Sequence, residues 1–208
     1  MLGRVNVPAP PAGRARSRRW REAQYAALDF ETTGLDYGKD AVVSFGVVPV
    51  RDGRVVVGEA VHRLVVPAVP ASSTSMKIHH ILPQDLAGAS SLDDARETLG
   101  ASLEGRFVLA WYAGVEMAFL RRIFGGRARA WRRRTVDVRR LAIELEHAHP
   151  DVRNTLAATA ARYGVPVASP HEALDDALVA AQLFLVLASK LEARGFGSVR
   201  SLLKLTRA

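Results

Sequence analysis

The chain has 208 residues, no Cys, and 29 Lys and Arg against 21 Asp and Glu, so its net charge of +8 permits nucleic acid or another anionic surface as a partner. This length and a hydrophobic share of 49% are typical of one globular domain, which excludes wholesale disorder, collagen and a long coiled coil. Disulfides, thiolate zinc sites and a cysteine nucleophile are excluded as well, and no apolar run reaches the roughly 18 residues of a membrane span.

Residues 1–22 predict a disordered basic arm. Pro8, Pro10 and Pro11 oppose a helix, and residues 1–21 contain six Arg and no acidic residue. The segment lacks the apolar stretch of a secretory signal, so we expect a cytoplasmic protein. Residues 23–208 are expected to form a single domain.

Apolar patterns beyond the arm predict five strands, which first follow one another and then alternate with helices. We expect strands over Tyr25–Phe30, Val42–Val50, Val55–Val66, Phe107–Trp111 and Thr135–Val138. We expect helices over Leu92–Leu103 and Gly114–Phe124, a helix that ends at His147, Asn154–Tyr163 with Asn154 as its cap, a long helix opened by Ser169-Pro170, and Val199–Leu205. This order predicts an α/β fold with a mixed five-stranded sheet flanked by helices, its first three strands antiparallel.

A second basic stretch covers residues 121–140, which contain nine Arg and one acidic residue, Asp137. Arginine binds phosphate through a bidentate fork as well as through its charge, so the stretch favours contact with nucleic acid. The alternative is an arginine-rich surface that faces only solvent.

Asp29 and Glu31 lie two residues apart at the end of an apolar strand, which puts both on one face of that strand. Neighbouring carboxylates repel, and no Lys or Arg lies within the segment to compensate them. Oxygen ligands of this kind suit Mg²⁺ or Mn²⁺. The alternative is a solvated strand end followed by a polar turn.

Two other segments carry candidate catalytic residues. His171 precedes Asp175 and Asp176 at the start of a helix, where a neutral imidazole can take a proton from water. The spacing does not decide which of the two aspartates faces inward, and acids near a helix start are also favoured by its dipole. Glu116 shares a helical stripe with Phe119 and its apolar neighbours, which leaves a buried and a solvent-facing position equally open.

The sequence resembles the DEDDh 3′–5′ exonucleases, the superfamily of the proofreading epsilon subunit of bacterial DNA polymerase III, over about Tyr25–Leu187. Asp29–Gly34 matches the first motif of that family, and His171 with Asp176 five positions later matches the third. Ile78–Ile81 is similar to a segment near the substrate end. The resemblance implies a ribonuclease H-like fold and selects Asp176 rather than its neighbour.

The second motif departs from the family pattern. Glu116 stands where the family has Asp, and Trp111-Tyr112 stands in place of His-Asn. A longer side chain displaces the carboxylate by about one bond length, and such a misplacement can cost on the order of 100-fold in rate. The departure leaves two readings: an active enzyme, or a weakly active or inactive module that binds nucleic acid or a protein partner.

The resemblance also implies roles for individual residues. Asp29, Glu31 and Asp176, with Glu116, would hold two Mg²⁺ or Mn²⁺ ions, and His171 would be the general base. The implied activity is release of nucleoside monophosphates from the 3′ end of nucleic acid, with DNA favoured, and a polymerase or a second copy of the chain as candidate protein partners. The implied substrate-binding residues are Thr32, Thr33, Gly34, Leu35, His79 and Tyr112. A basic domain with accidental acids is the remaining alternative.

Overall fold

A computed structural model of the protein describes residues 7–147 and 154–206. The strands are β1 (Tyr25–Thr32), β2 (Val42–Arg51), β3 (Arg54–Val55), β4 (Val61–Leu64), β5 (Phe107–Ala110) and β6 (Thr135–Asp137). The helices are α1 (Ser73–His79), α2 (Leu92–Leu103), α3 (Ala113–Phe124), α4 (Ala128–Arg132), α5 (Val138–Glu146), α6 (Leu156–Arg162), α7 (Ala173–Glu192) and α8 (Val199–Leu205). Within these two stretches, no helix combines the length and apolarity needed to cross a membrane.

The sheet is mixed, as predicted, but it has six strands in place of five. Its order is β3-β2-β1-β5-β6, with β4 also paired to β2. The predicted strand Val55–Val66 is broken by a 3₁₀ turn, Val57–Glu59, so that β3 and β4 pair antiparallel with successive parts of β2. The break lies near Pro49, whose carbonyl accepts from Val56 N–H at this edge. Proline has no N–H to donate to the same edge, so one continuous ladder cannot form there.

Alternation along β1 directs successive side chains to two apolar layers. Tyr25 and Ala27 pack with α5, α7 and α8, whereas Ala26, Leu28 and Phe30 pack with α2, α3 and α4. A period of two continues the first of these faces through the two acids at the end of the strand. Those acids therefore point towards α7, which positions the site.

The predicted disordered arm is wrong for the segment around Trp20. This side chain is fully buried, lies edge-on to Phe184 with ring centroids 5.7 Å apart, and donates its indole N–H to Glu192 Oε2 at 3.1 Å. Arg19 and Arg21 form salt bridges with the same glutamate. The indole contributes enough apolar area to anchor the basic segment. Residues 1–6 of the predicted arm lie outside the described residues.

Two predicted helix starts are corrected. α6 begins after Thr155, whose hydroxyl accepts from Ala158 N–H, so Asn154 is not its cap. α7 begins at Ala173 and not at Ser169-Pro170, because His171 has a φ of 64° and this left-handed conformation cannot continue an α-helix. The short helices α1 and α4 lie where no helix was predicted.

Candidate active site

Three of the predicted acids meet where the end of β1 faces the first turns of α7. Asp29, Glu31 and Asp176 each offer one carboxylate oxygen, and these three oxygens all lie within 4.8 Å of one another. Asp29 and Asp176 are half-buried and Glu31 is buried. The sequence-distant pairing expected from the first and third motifs is therefore present in the fold.

Gly46 allows α7 to approach the sheet this closely. It lies opposite Asp29 in the antiparallel β1–β2 pair, and a Cβ at this position would collide with the backbone of Ala173 and Leu174. Ala173 is the first residue of α7, and Asp176 lies one turn later. The glycine thus sets the distance between the strand acids and the helix acid.

Glu116 reaches the same centre from a different element. β5 runs parallel to β1, so the start of α3 lies at the same end of the sheet as the strand acids. The Glu116 side chain is buried, and its Oε2 has no hydrogen-bond partner within the described residues. Its charge helps raise the pKa of Asp29. Glu116 therefore occupies the buried side of its helix, although it lies outside the group of three close oxygens.

Burial and mutual repulsion oppose ionisation of these acids. The pKa of Asp29 is raised by burial first and then by Glu116, Glu31 and Asp176. Burial raises the pKa of Glu31 to about 8, with Asp176 adding to the effect, and burial also raises the pKa of Glu116 to about 8. Burial raises the pKa of Asp176, while the His171 N–H partly opposes this. Such an oxygen donor set fits a hard divalent cation, which would restore the ionised forms.

His171 adjoins the cluster through its backbone. Its N–H donates to Asp176 Oδ2 at 3.2 Å, and its side chain is exposed. The residue also lines a cavity of about 300 Å³, together with His62 and His79. An exposed imidazole beside a carboxylate cluster can remove a proton from a water that enters the site.

The loop after β1 separates the predicted substrate residues into different environments. Leu35 is 75% exposed beside the site. The Thr32 hydroxyl donates to the Gly34 carbonyl at 2.8 Å. Thr33 is buried, and its hydroxyl donates to Asp40 Oδ1 at 2.8 Å while accepting from Ala41 N–H. The Thr33 side chain therefore closes the loop.

A Cβ at Gly34 would collide with the Asp40 carboxylate. Glycine therefore allows the tight loop that presents Leu35 to solvent.

His79 and Tyr112 line two different cavities. His79 ends α1 and is buried; its Nδ1 accepts from Ile81 N–H at 3.0 Å, and its Nε2 has no partner within the described residues. Burial lowers its pKa, which favours the neutral ring. Tyr112 caps α3, is 53% exposed, and has the Arg139 guanidinium 5.6 Å above its ring. Tyr112 is therefore open to solvent, whereas His79 is a buried residue in the wall of its cavity.

Asp137 is a site residue that the sequence analysis did not select. One of its oxygens accepts from Ala113 N–H at 3.2 Å and the other from Arg140 N–H at 2.9 Å, so it joins the starts of α3 and α5. It also adds to the raised pKa of Glu116. An acid at the end of the apolar strand β6 repeats the pattern seen at Asp29, and this signal would have identified it.

The sequence of this chain is similar to those of known exonuclease and DNA polymerase III proteins. The model of the RNase T family, described as "Exonuclease", matches residues 26–184. A DNA polymerase III PolC-type protein of Thermotoga petrophila is 31% identical over 80% of this chain and 12% of its own length. A DNA polymerase III subunit epsilon-like protein of Rhodobacter capsulatus is 30% identical over 84% of this chain and 25% of its own length. The chain thus spans a quarter or less of these two relatives.

Solved exonuclease structures share the fold. Exonuclease X in complex with 5′ overhanging duplex DNA superposes with a TM-score of 0.66 and 22% identity, over 88% of this chain and 99% of that one. E. coli Exonuclease I in complex with a dT13 oligonucleotide has a TM-score of 0.70 and 15% identity, over 83% of this chain and 42% of that one. The ribonuclease H-like fold is confirmed, and the chain belongs to the exonuclease family.

Proposed function

We propose that this protein is a metal-dependent 3′–5′ exonuclease that hydrolyses the phosphodiester bond at the 3′ end of nucleic acid and releases nucleoside monophosphates. The observation that carries the proposal is the convergence of Asp29, Glu31 and Asp176 within 4.8 Å, with Glu116 beside them. Buried like charges in this number are unfavourable unless a cation binds between them.

The acidic residues and His171 have different roles in the proposed reaction. Asp29, Glu31 and Asp176 would hold two Mg²⁺ or Mn²⁺ ions, and Glu116 would complete the site from α3. Such ions would supply positive charge opposite the phosphate and the leaving 3′ oxygen. His171 removes the proton from the attacking water, which its exposed position beside Asp176 permits.

The loop residues bind the terminal nucleotide in this proposal. Leu35 packs against the terminal base, and Thr32 and Gly34 shape the backbone beneath it. His79 forms part of the wall of the cavity that His171 also lines, and it supports the nucleotide from there. The buried Thr33 hydroxyl supports the loop from behind.

DNA is the favoured substrate because the relatives are named as DNA polymerase III proteins and the two structural neighbours are bound to DNA. The names of the same relatives support a polymerase as a candidate partner. A second copy of this chain as the other candidate partner and a cytoplasmic location are also part of the proposal. Mg²⁺ and Mn²⁺ are favoured because the three closest ligands are all carboxylate oxygens.

The test is digestion of a 5′-labelled single-stranded DNA with Mn²⁺. Stepwise shortening from the 3′ end is expected, whereas His171→Ala and Asp176→Asn should reduce the rate at least about 100-fold. The matched controls are His147→Ala, which alters another exposed histidine at positive φ, and Asp175→Asn, which alters the neighbouring carboxylate. Both controls should retain most of the activity.

Equal digestion by the wild type and by both site variants would contradict the proposed function. Tight DNA binding without any digestion would favour the inactive-module alternative that Glu116 and Tyr112 raise. RNA and a recessed duplex, assayed beside the single strand, decide between substrates.

A further inference from the structure

A second cavity lies along the same end of the sheet, between the starts of α3 and α5. Its volume is about 270 Å³, and its wall includes Tyr112, Arg132, Arg139 and Arg140. We call this cavity, as defined by those four residues, the arginine groove. None of the proposed metal ligands or terminal-nucleotide residues except Tyr112 belongs to it.

The arginine groove is cationic. Asp137 is the one acid in its wall among the described residues, and both Asp137 oxygens accept backbone N–H groups. Arg132 is exposed and forms no ion pair within the described part of the chain. Arg132 therefore adds positive charge to the groove that no ion pair among the described residues compensates, and arginine forks match phosphate oxygens.

Tyr112 adds an aromatic surface to this charge. Its ring is half exposed, and the Arg139 guanidinium lies over it at 5.6 Å from the ring centroid. Arginine beside an exposed ring is the combination with which proteins bind single-stranded nucleic acid, because phosphates pair with the cation and bases stack on the ring. A partner with phosphates alone would not use the ring.

The arginine groove lies at the same end of the sheet as the active site, two strands further along. Tyr112 lies two residues after the end of β5, and Asp137 ends β6. Both strands run parallel to β1, which carries Asp29 and Glu31. Two strand spacings put the groove about 10 Å from the carboxylates. A few nucleotides cover that distance, since stacked nucleotides advance about 3.4 Å each.

We propose that the arginine groove binds the single-stranded backbone of the substrate a few nucleotides upstream of the cleaved 3′ end, with Tyr112 stacked against a base. The inference rests on the proposed exonuclease function and makes the substrate a strand of several nucleotides rather than an isolated nucleotide ester. It also assigns a role to the tyrosine that departs from the family's second motif.

The experiment compares two substrates that differ in length. One is dT12, and the other is the nitrophenyl ester of thymidine 5′-monophosphate, which has a single phosphate. In the double variant Arg132→Gln/Arg139→Gln, the ratio of kcat/KM for dT12 to that for the ester should fall at least tenfold. The dependence of log Kd for dT12 on log salt concentration should become shallower by about 0.7 for each arginine removed.

Two further variants separate the effects of charge and of base stacking on dT12 binding from an effect on folding. Arg132→Gln alone alters an exposed side chain and should lower the same ratio in the same direction. Tyr112→Ala should weaken binding of dT12 about tenfold more than binding of an abasic strand of equal length. Arg54→Gln is the matched control, because Arg54 is exposed on β3 at the opposite end of the sheet.

The groove proposal would be overturned if the ratio of kcat/KM for dT12 to that for the ester stayed unchanged in both arginine variants, which includes an equal loss of kcat/KM on both substrates. The proposal would also be overturned if the double variant lost affinity for dT12 and for polyglutamate by the same factor, because the groove would then bind anions in general. If the wild type digests neither substrate, the proposed function fails. In that case a tenfold loss of dT12 binding by the double variant still supports the groove, and undiminished binding overturns it.

Discussion

The buried side chains of Glu116 and Glu31 make the stability of the metal-free protein depend on pH. Burial raises both pKa values to about 8, above the ordinary 4.5 of an unfolded glutamate. The folded metal-free protein therefore binds more protons than the unfolded chain between those two values. The contribution of these two glutamates to the stability of the metal-free protein is greatest below pH 4.5, and it is lost as the pH rises from 4.5 through 8.

Glu116→Gln should separate stability from activity. The amide retains the shape of the side chain and removes its charge, so the metal-free variant should melt higher than the wild type at pH 8.5, by roughly 3 °C or more. At pH 5 the two proteins should have the same melting temperature, because Glu116 of the folded wild type is then protonated. Exonuclease activity should fall on the order of 100-fold. Thermal melting in EDTA and the strand assay measure these effects.

Glu97→Gln provides the control, since Glu97 is an exposed glutamate of α2. Millimolar Mn²⁺ should raise the melting temperature of the wild type more at pH 8.5 than at pH 5, and should raise that of Glu116→Gln less. A variant that melts lower than the wild type at pH 8.5 would contradict the view that this carboxylate is repelled in the metal-free fold.

At the scale of elements, the contact between β2 and α7 decides whether the acids meet. Gly46 is the residue at which the strand backbone touches the helix start. Asp176 is held to the same helix start by the N–H of His171. Because the first turn of α7 is fixed on both sides, a small displacement there moves a proposed metal ligand.

Gly46→Ala should therefore reduce activity about 100-fold, because the added methyl group pushes α7 away from Asp29. The melting temperature should also fall, as expected for overpacking that costs about 1–3 kcal/mol. Gly58→Ala is the matched control, since no atom lies within 4 Å of a Cβ built there. Full activity of Gly46→Ala would show that the close approach is not needed.

Short elements were the part of the fold that the sequence analysis missed. α1 has seven residues and α4 has five, too few to show a helical period. Tertiary contacts hold them: the Ser75 hydroxyl donates to the Thr33 carbonyl, and Trp131 is buried in the core. The strands and longer helices were predictable because their apolar periodicity matches the layers that they bury.

At the scale of the whole molecule, the basic segment before β1 is part of the packed structure. Trp20 contacts α7, and the Arg134 guanidinium donates to the carbonyls of Pro8, Leu103 and Arg106 at 2.6–3.0 Å. These contacts join the start of the described chain to the helices on both faces of the sheet.

Trp20→Ala should lower the free energy of unfolding by about 3–5 kcal/mol, as expected for a fully buried indole. For a protein of this size, the melting temperature should fall by roughly 6–20 °C. Arg18→Ala, which alters an exposed side chain two residues earlier, should have little effect. Equal melting of the two variants would restore the prediction of a loosely attached arm.

The sequence by itself determined the strand acids and the mixed sheet, because each depends on local spacing or periodicity. The partner acid of His171 followed from the family resemblance, since spacing left Asp175 and Asp176 both open. Tertiary structure decided which charged residues act together. Among the arginines of residues 121–140, Arg134 is buried against backbone carbonyls while Arg132 lines the arginine groove. Linear sequence does not distinguish them, since burial and charge separation depend on which strands and helices become neighbours. For the same reason, only the fold brought Glu116 and Asp137 to the side of Asp29 and Asp176.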